Sequence, residues 1–167
     1  KSGEAVIRSS SDLSDLQMAV GGDAILVKDG AIVEENGAYG ALQYSRCAIG
    51  IMEDGTVVTF TTYGLRAPIS CGRTYEEIAQ MMCNAGCVDV LALDGGGSAT
   101  FCSRPEGTEE LLVSNSPGDG AEREVSSTVL IVSTAEATGI FDHAALKPNN
   151  EVYTPGSEIQ FQANGVD

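Results

Sequence analysis

The sequence has 167 residues, of which 43% are apolar and 20% charged, with 20 glycines and no tryptophan. This length and apolar content suffice for one folded domain and exclude a disordered chain. The formal net charge of −15 excludes nucleic acid and anionic membrane surfaces as favourable partners, and no apolar run reaches the roughly 20 residues of a membrane span, so we expect no membrane insertion.

The first predicted elements are a short helix and two hairpins. Residues 10–20, "SSDLSDLQMAV", favour a helix with Leu13, Leu16 and Met18 or Val20 facing inward. The segments "AILVKDGAIV" and "CAIGIMEDGTVVTFTT" each place an Asp-Gly pair between apolar runs, the strongest short signal for a hairpin. The turns are predicted at 29–30 and 54–55.

The second hairpin has the pattern of a half-buried sheet. Apolar side chains alternate along residues 47–52 and continue through Val58 and Phe60, as a sheet with one face in the core requires. Arg46 lies at the open end of this hairpin.

A helix is predicted over "RTYEEIAQMMCNAGC". Thr74 and Glu77 have the spacing of a capping box, and Gly86 supplies the stop. The apolar stripe that would face the core consists of Ile78, Met81, Met82 and Ala85. The predicted fold is therefore α+β: a mixed, largely antiparallel sheet with one or two packed helices.

The segment "LALDGGGSATF" follows this helix. It predicts a buried strand through Val90 and Leu93, three glycines, and a returning strand through Thr100 and Phe101. A tight turn would explain one glycine. Three bare amides in succession can instead hold an anion, with the Asp94 carboxylate and the Ser98 hydroxyl at the rim. Both interpretations stay open on spacing alone.

A second polar loop, "SNSPGDGAERE", precedes a predicted strand over Val125–Val132. Its chemistry resides in Asn115, Asp119, Glu122 and Arg123. A solvated loop is the ordinary explanation. Because the loop and the glycine turn flank consecutive strands, however, the two could converge, and carboxylates with an arginine are what glycosyl or phosphoryl chemistry needs.

The sequence pattern changes near the end of the chain. We expect the first domain over 1–135, a linker over 136–148, and the beginning of an immunoglobulin-like β module over 149–167, where a Pro-Gly turn precedes alternating Ile159 and Phe161. The parent protein would then carry further domains.

The five cysteines are predicted to be free thiols that behave as small buried apolar residues. They are Cys47, Cys71, Cys83, Cys87 and Cys102. A zinc site at Cys83 and Cys87 would have only His143 as a histidine ligand, so we expect no such site and no required cofactor.

Three segments together resemble the phosphodiester glycosidase family. They are "RCAIGIMEDGTVV", "GRTYEEIAQMMCNAGCVDVLALDGGGSATF" and "NSPGDGAEREVSSTVLIV", and the resemblance runs from about Gly22 to Val132. The family pattern joins an Arg-x-Ala-x-Gly strand, an Asp-Gly-Gly-Gly-Ser turn and an Asn-x-Pro-x-Asp-Gly loop before Glu-Arg-x-Val-Ser. Two features depart from it. Tyr63-Gly64-Leu65 replaces Asp-Gly-Arg, with Arg66 one position later, and the upstream Asn-Gly-Gly-Phe-Phe segment is absent, so we expect the domain to lack its N-terminal part.

The resemblance implies which residues form the site. The catalytic set would be Asp94, Asp119, Arg46 and Arg123, with Glu122 able to share the carboxylate's role. The substrate-binding set would be Gly95, Gly96, Gly97, Ser98, Asn115, Ser126 and Arg66. In this interpretation Arg46 and Arg123 clamp the phosphate, the glycine amides take its remaining oxygens, and Asp94 stabilises or attacks C1.

The implied activity is hydrolysis of the sugar C1–O bond of a glycosyl-1-phosphodiester, which releases free sugar and a phosphate monoester. Two alternatives stay open: a non-catalytic carbohydrate-binding or wall-associated surface module, and a phosphodiesterase in which Asp94 and Asp119 hold a divalent cation. The partner would be a glycosyl phosphodiester or a cell-surface glycan. The resemblance and the predicted arrangement of several domains favour a secreted or cell-surface protein.

Overall fold

The structure, a computed structural model, describes residues 3–34, 37–64, 67–148 and 151–167. Its helices are α1 (Gly37–Gly40) and α2 (Tyr75–Asn84). Within those ranges the strands are β1 (Ala24–Lys28), β2 (Ala31–Ile32), β3 (Cys47–Met52), β4 (Val57–Thr61), β5 (Cys87–Ala92), β6 (Cys102–Ser103), β7 (Leu112–Val113), β8 (His143–Lys147) and β9 (Gln162–Val166). They divide between two compact units: residues 1–101 with 114–129, and residues 102–113 with 130–167.

The first unit is built on a five-stranded antiparallel sheet in the order β2-β1-β5-β3-β4. Both predicted hairpins are present in it. Asp29 and Gly30 take positive φ values of 50° and 78°, which is the backbone of the tight turn that an Asp-Gly pair favours. The predicted α+β class is confirmed.

The core lies between one face of this sheet and α2. Ala48 of β3 is paired with Phe60 on one side and with Ala92 on the other, so these three share a face. A Cβ added to Gly50 would lie 2.7 Å from both the Met82 methyl carbon and the Cys87 sulfur. The helix therefore approaches the sheet closely enough to require glycine at this position.

Helix α2 begins as the sequence predicts. The Thr74 hydroxyl accepts the Glu77 backbone N–H, the Glu77 carboxylate accepts the Thr74 N–H, and Gly86 ends the helix at φ 95°. The predicted stripe is only half right: Met82 is 2% exposed and buried with Ile78, whereas Met81 is 44% exposed. Among the described residues no helix has the length and apolar character needed to cross a bilayer.

Three predicted elements are wrong or displaced. Residues 10–20 form no helix, because polar side chains take up the backbone donors: Asp12 accepts the Ser14 N–H, and the Ser10 hydroxyl accepts the Asp12 N–H. Residues 125–132 form no strand and are exposed throughout. Their alternation satisfies the local pattern, but no described strand pairs with them. The strand predicted through Thr100 and Phe101 begins only at Cys102.

The cysteines are all free, but they are not uniformly buried. Cys87 is buried, and Cys47 and Cys83 are partly so, whereas Cys71 and Cys102 are exposed. The prediction of buried apolar thiols is therefore wrong for the last two, which lie in short loops or at the edge of a two-stranded ribbon. Burial raises the pKa of the Cys47 and Cys87 thiols.

The second unit contains two ribbons, β6–β7 and β8–β9. His143 of β8 lies between the carboxylates of Asp142 and Glu106, at 2.7 Å from each, and both raise its pKa. A Cβ on Gly107 would lie 2.6 Å from the Asn164 Cβ. Strand β8 falls inside the segment predicted as a linker, and residues 149–150, where the predicted module begins, lie outside the described residues. The domain boundaries stay a prediction.

Candidate functional site

The three glycines form a turn that ends β5. Gly95 is extended, at φ −121° and ψ −153°, and Gly96 has a φ of 62°, which an L residue adopts only at a cost. A single 3-10 turn, Gly96–Ser98, follows. The Ser98 N–H donates to the Gly95 carbonyl at 3.3 Å, so the turn closes on itself. Asp94 lies exposed at its start.

Ser45 fixes this turn to the strand beside it. The Gly96 N–H donates to the Ser45 carbonyl at 2.8 Å, and the Ser45 hydroxyl donates to the Gly96 carbonyl at 3.0 Å. Ser45 is 2% exposed. Ser45 lies outside the residues predicted for the site, and its sequence carries no signal beyond its position directly before Arg46.

The second polar loop packs against the same serine. A Cβ on Gly118 would lie 2.7 Å from the Ser45 hydroxyl oxygen and 3.0 Å from the Gly96 carbonyl oxygen. The Gly64 N–H donates to the Ser116 carbonyl at 3.3 Å, and a Cβ on Gly64 would lie 2.4 Å from the Gly118 Cα. Close approach of three backbone segments thus explains glycine at both positions. The predicted convergence of the loop and the turn is what the structure contains.

Asn115 ties the loop to the residues that leave the turn. Its amide nitrogen donates to the Ala99 carbonyl at 2.8 Å, and its amide oxygen accepts the Phe101 N–H at 2.8 Å. Both ends of the side chain are therefore engaged with backbone. Asn115 therefore stabilises the position of the loop relative to the residues that follow the glycine turn.

Asp119 and Arg123 form an ion pair directly over Gly97. Arg123 donates from Nε, at 3.0 Å, and from Nη2 to the same Asp119 oxygen. A Cβ on Gly97 would lie 2.3 Å from that oxygen and 2.4 Å from Arg123 Nη2. Both side chains are about half exposed. The missing side chain of Gly97 therefore makes room for the pair.

Arg46 occupies a different environment from the one expected. Its side chain is fully buried, with the guanidinium carbon 4.3 Å from the centre of the Tyr39 ring and 4.2 Å from that of Tyr75. Its Nη2 donates to the carbonyls of Tyr39 and Leu42 at 2.8 and 2.9 Å. Within the described ranges its Nη1 has no partner.

The burial of Arg46 indicates a structural role. An enclosed guanidinium that donates to loop carbonyls and lies between aromatic rings holds those loops together. Arg46 was expected to clamp the phosphate at the surface. Because its guanidinium is fully buried, its charge does not reach the surface that carries Asp119 and Arg123. Tyr75, which flanks it, donates its hydroxyl to Asp23, and burial together with this bond raises the pKa of Tyr75.

The remaining predicted site residues make fewer contacts with the rest of the described chain. Asp94 makes no hydrogen bond or ion pair with any described residue, although its charge helps to raise the Cys47 pKa. Ser98 is half-buried, and Glu122 and Ser126 are exposed. Arg66 lies outside the described residues, as does Leu65. Of the three glycine amides, that of Gly96 is used by Ser45, which leaves those of Gly95 and Gly97 without an acceptor in the described part of the chain.

A shallow depression of about 230 Å³ lies on the same unit. Its lining residues come from β4 and from the segments that flank the turn and the loop: Thr59, Thr61, Tyr63, Phe101, Ser114 and Asn115. None of them carries a charge. Across the described residues no three His, Cys, Asp or Glu side chains are grouped as a metal site would require.

Comparison with known proteins gives a family match. The family model described as phosphodiester glycosidase matches residues 1–132. The chain is 34% identical over 90 residues to the SPbeta prophage-derived uncharacterized protein YomE of Bacillus subtilis (strain 168). The matched segment covers 54% of this chain and 13% of YomE.

Two solved structures are also similar. One is a hypothetical protein from Synechocystis, with 21% identity over 59% of this chain and 18% of the other, and a TM-score of 0.43. The second is the catalytic domain of zebrafish N-acetylglucosamine-1-phosphodiester alpha-N-acetylglucosaminidase, auto-inhibited by its pro-peptide, with 20% identity over 59% and 34% of the two chains and a TM-score of 0.46. The chain spans about a third or less of the length of each of these proteins.

Proposed function

The chain belongs to the phosphodiester glycosidase family, and from that premise we propose that it hydrolyses the sugar C1–O bond of a glycosyl-1-phosphodiester. The products would be a free sugar and a phosphate monoester. The observation that carries this proposal is the Asp119–Arg123 pair, which lies over Gly97 in the turn that Asp94 begins. The turn thus carries an exposed carboxylate at its start and an ion pair over its third glycine.

Arg123 is the group that would bind the phosphate. Its two donors to Asp119 converge on a single carboxylate oxygen, and its Nη1 has no acceptor among the described residues. A phosphodiester anion can compete for the guanidinium because the pair is half exposed, and exposed pairs contribute only about 0–1 kcal/mol. In a chain of net charge −15, this local cation is what offsets repulsion of an anionic substrate.

The glycine turn would complete the phosphate site. The N–H groups of Gly95 and Gly97 donate to no described acceptor, and no side chain on either residue hinders a ligand. Backbone amides beside a guanidinium are a common arrangement for binding phosphate oxygens. The Gly96 amide is committed to Ser45 and keeps the turn in shape.

Asp94 is the residue that would act on the sugar. Its carboxylate is exposed and has no partner among the described residues, so it is available to positive charge that develops at C1. A phosphate monoester is a far better leaving group than an alcohol, so the reaction depends less on a general acid. Asp94 would stabilise or attack the cationic centre, and Asp119 would hold Arg123 in place.

Product analysis with a glycosyl-1-phosphodiester tests the proposal. The wild-type chain should release free sugar, and Asp94→Asn should lower kcat at least about 100-fold while KM falls or stays unchanged, because the carboxylate repels the bound anion and helps only in the transition state. Arg123→Ala should raise KM and weaken its dependence on salt. The matched controls are Asp54→Asn, in the distant β3–β4 turn, and Arg104→Ala, and both should keep wild-type rates.

Three results would contradict the proposal. Release of sugar phosphate would identify a phosphodiesterase. Binding of the diester without any product would identify a binding module. A normal rate for Asp94→Asn would remove this carboxylate from the reaction.

A further inference from the structure

The depression beside the proposed phosphate site has a distinct chemical character. Its lining combines hydroxyls on the outer side of β4, from Thr59 and Thr61, with two exposed rings, Tyr63 and Phe101, which are 44% and 39% exposed. No charged side chain lines it. It is therefore poorly suited to a phosphate, which requires a cation or several converging donors.

Aromatic rings and hydroxyls together suit an uncharged ligand that has both an apolar face and many hydroxyls. A pyranose is such a ligand, since its C–H face packs on an aromatic ring and its hydroxyls pair with threonine side chains. The volume of about 230 Å³ is below that of sites for drug-sized ligands, which begin near 300 Å³, and so favours a single ring.

The chain connects the depression to the charged pair. Tyr63 precedes Gly64, which packs against Gly118, and Gly118 is the neighbour of Asp119. On the other side, Asn115 joins the loop to the backbone of Phe101. The neutral depression and the ion pair therefore share the 115–119 loop.

We propose that the depression formed by Thr59, Thr61, Tyr63 and Phe101 binds the uncharged sugar ring of the substrate, with Tyr63 as its aromatic platform. This inference rests on the proposed function for the direction in which the substrate lies: its phosphate on Arg123 and its ring on Tyr63. The binding of a neutral sugar is nevertheless measurable without any hydrolysis.

The experiment is NMR titration of the 167-residue chain with neutral monosaccharides: glucose, galactose, mannose and N-acetylglucosamine. At least one should shift the signals of residues 59–63 and Phe101. Tyr63→Ala and Phe101→Ala should each weaken that binding about 3- to 10-fold. Thr59→Val keeps the strand shape without the hydroxyl and should also weaken it. The matched control is Tyr153→Ala, since Tyr153 is 39% exposed and lies in the other unit.

Inorganic phosphate provides the second probe. It should shift the signals of Gly97 and the Arg123 side chain and leave the depression unchanged. The inference is overturned if no monosaccharide shifts the depression, or if Tyr63→Ala and Tyr153→Ala bind the sugar equally well.

The two proposals fail in different ways. If the sugar binds at Tyr63 but no diester is hydrolysed, the ring site stands and the proposed reaction is wrong. If the diester is hydrolysed with wild-type KM by Tyr63→Ala, Phe101→Ala and Thr59→Val alike, the reaction stands and the ring site is wrong.

Discussion

The three adjacent glycines should respond differently to the same substitution, because each alanine Cβ would meet a different environment. At Gly95 it would lie 2.7 Å from the Ser45 carbonyl oxygen, which is backbone and cannot move freely. At Gly96 it would meet open space, but φ is 62°. At Gly97 the three nearest atoms would be at the far ends of the Asp119 and Arg123 side chains.

The magnitudes follow from these differences. Gly95→Ala forces the turn away from Ser45 and strains a hydrogen bond, so we expect a loss of about 3 kcal/mol. Gly96→Ala pays the left-handed backbone cost of about 1–2 kcal/mol. Gly97→Ala displaces an exposed ion pair that contributes about 0–1 kcal/mol, and the reduced freedom of the unfolded chain returns a similar amount, about 0.4–1 kcal/mol. Its net effect on stability is near zero.

Thermal melts and turnover, measured on all three variants, test these expectations. For a chain of this size 1 kcal/mol corresponds to about 2–4 °C, so Tm should fall by about 6–12 °C for Gly95→Ala and by less than about 4 °C for Gly97→Ala. Gly97→Ala should nevertheless lose activity at least about 10-fold, because Arg123 is displaced from the turn. A Gly97→Ala variant with full activity, or one that melts as early as Gly95→Ala, would refute the account of why the turn contains three glycines.

Three further predictions concern the surroundings of the site and the second unit. Arg46→Met should lower Tm by about 6–12 °C, since it removes the donor to the carbonyls of Tyr39 and Leu42 at a cost of about 3 kcal/mol, and a melt within 2 °C of wild type would contradict its structural role. Ser45→Ala should cost about 1–2 kcal/mol in a urea titration, and an unchanged midpoint would show that its bond to the glycine turn is dispensable. Because Asp142 first and Glu106 second raise the pKa of His143, the stability from its charged form is complete below its ordinary pKa of about 6.5 and is lost as pH rises through the raised value. Hydrogen exchange of the β8 amides, corrected for the intrinsic rate, should therefore quicken as pH rises, and the same pH dependence in His143→Gln would exclude this cause.

Local signals predicted the elements that depend on local chemistry. Asp29-Gly30 and Asp54-Gly55 gave both hairpins because turn geometry is set by the residues of the turn. Thr74 and Glu77 gave the start of α2 for the same reason. The convergence of the glycine turn with the second loop followed from both lying next to consecutive strands.

The failed helix at 10–20 has a local cause, but the missing strand and the enclosure of Arg46 depend on partners elsewhere in the chain. Residues 125–132 have the alternation of a strand, but pairing needs a free strand edge, which no local pattern reports. The sequence around Arg46 predicts an accessible cation. The positions of Tyr39 and Tyr75 in the structure show that it is enclosed. Ser45 has no motif of its own. Its importance arises from backbone contacts made 51 residues away, at Gly96.

The most direct test of the central claim is hydrolysis of a glycosyl-1-phosphodiester in water labelled with oxygen-18, with both products examined by mass spectrometry. Cleavage of the C1–O bond adds the water oxygen to the sugar, so the proposed reaction predicts label at the C1 hydroxyl and none in the phosphate monoester. Label in the phosphate would mean that the P–O bond breaks, and would contradict the glycosidase reaction proposed for Asp94 and Arg123.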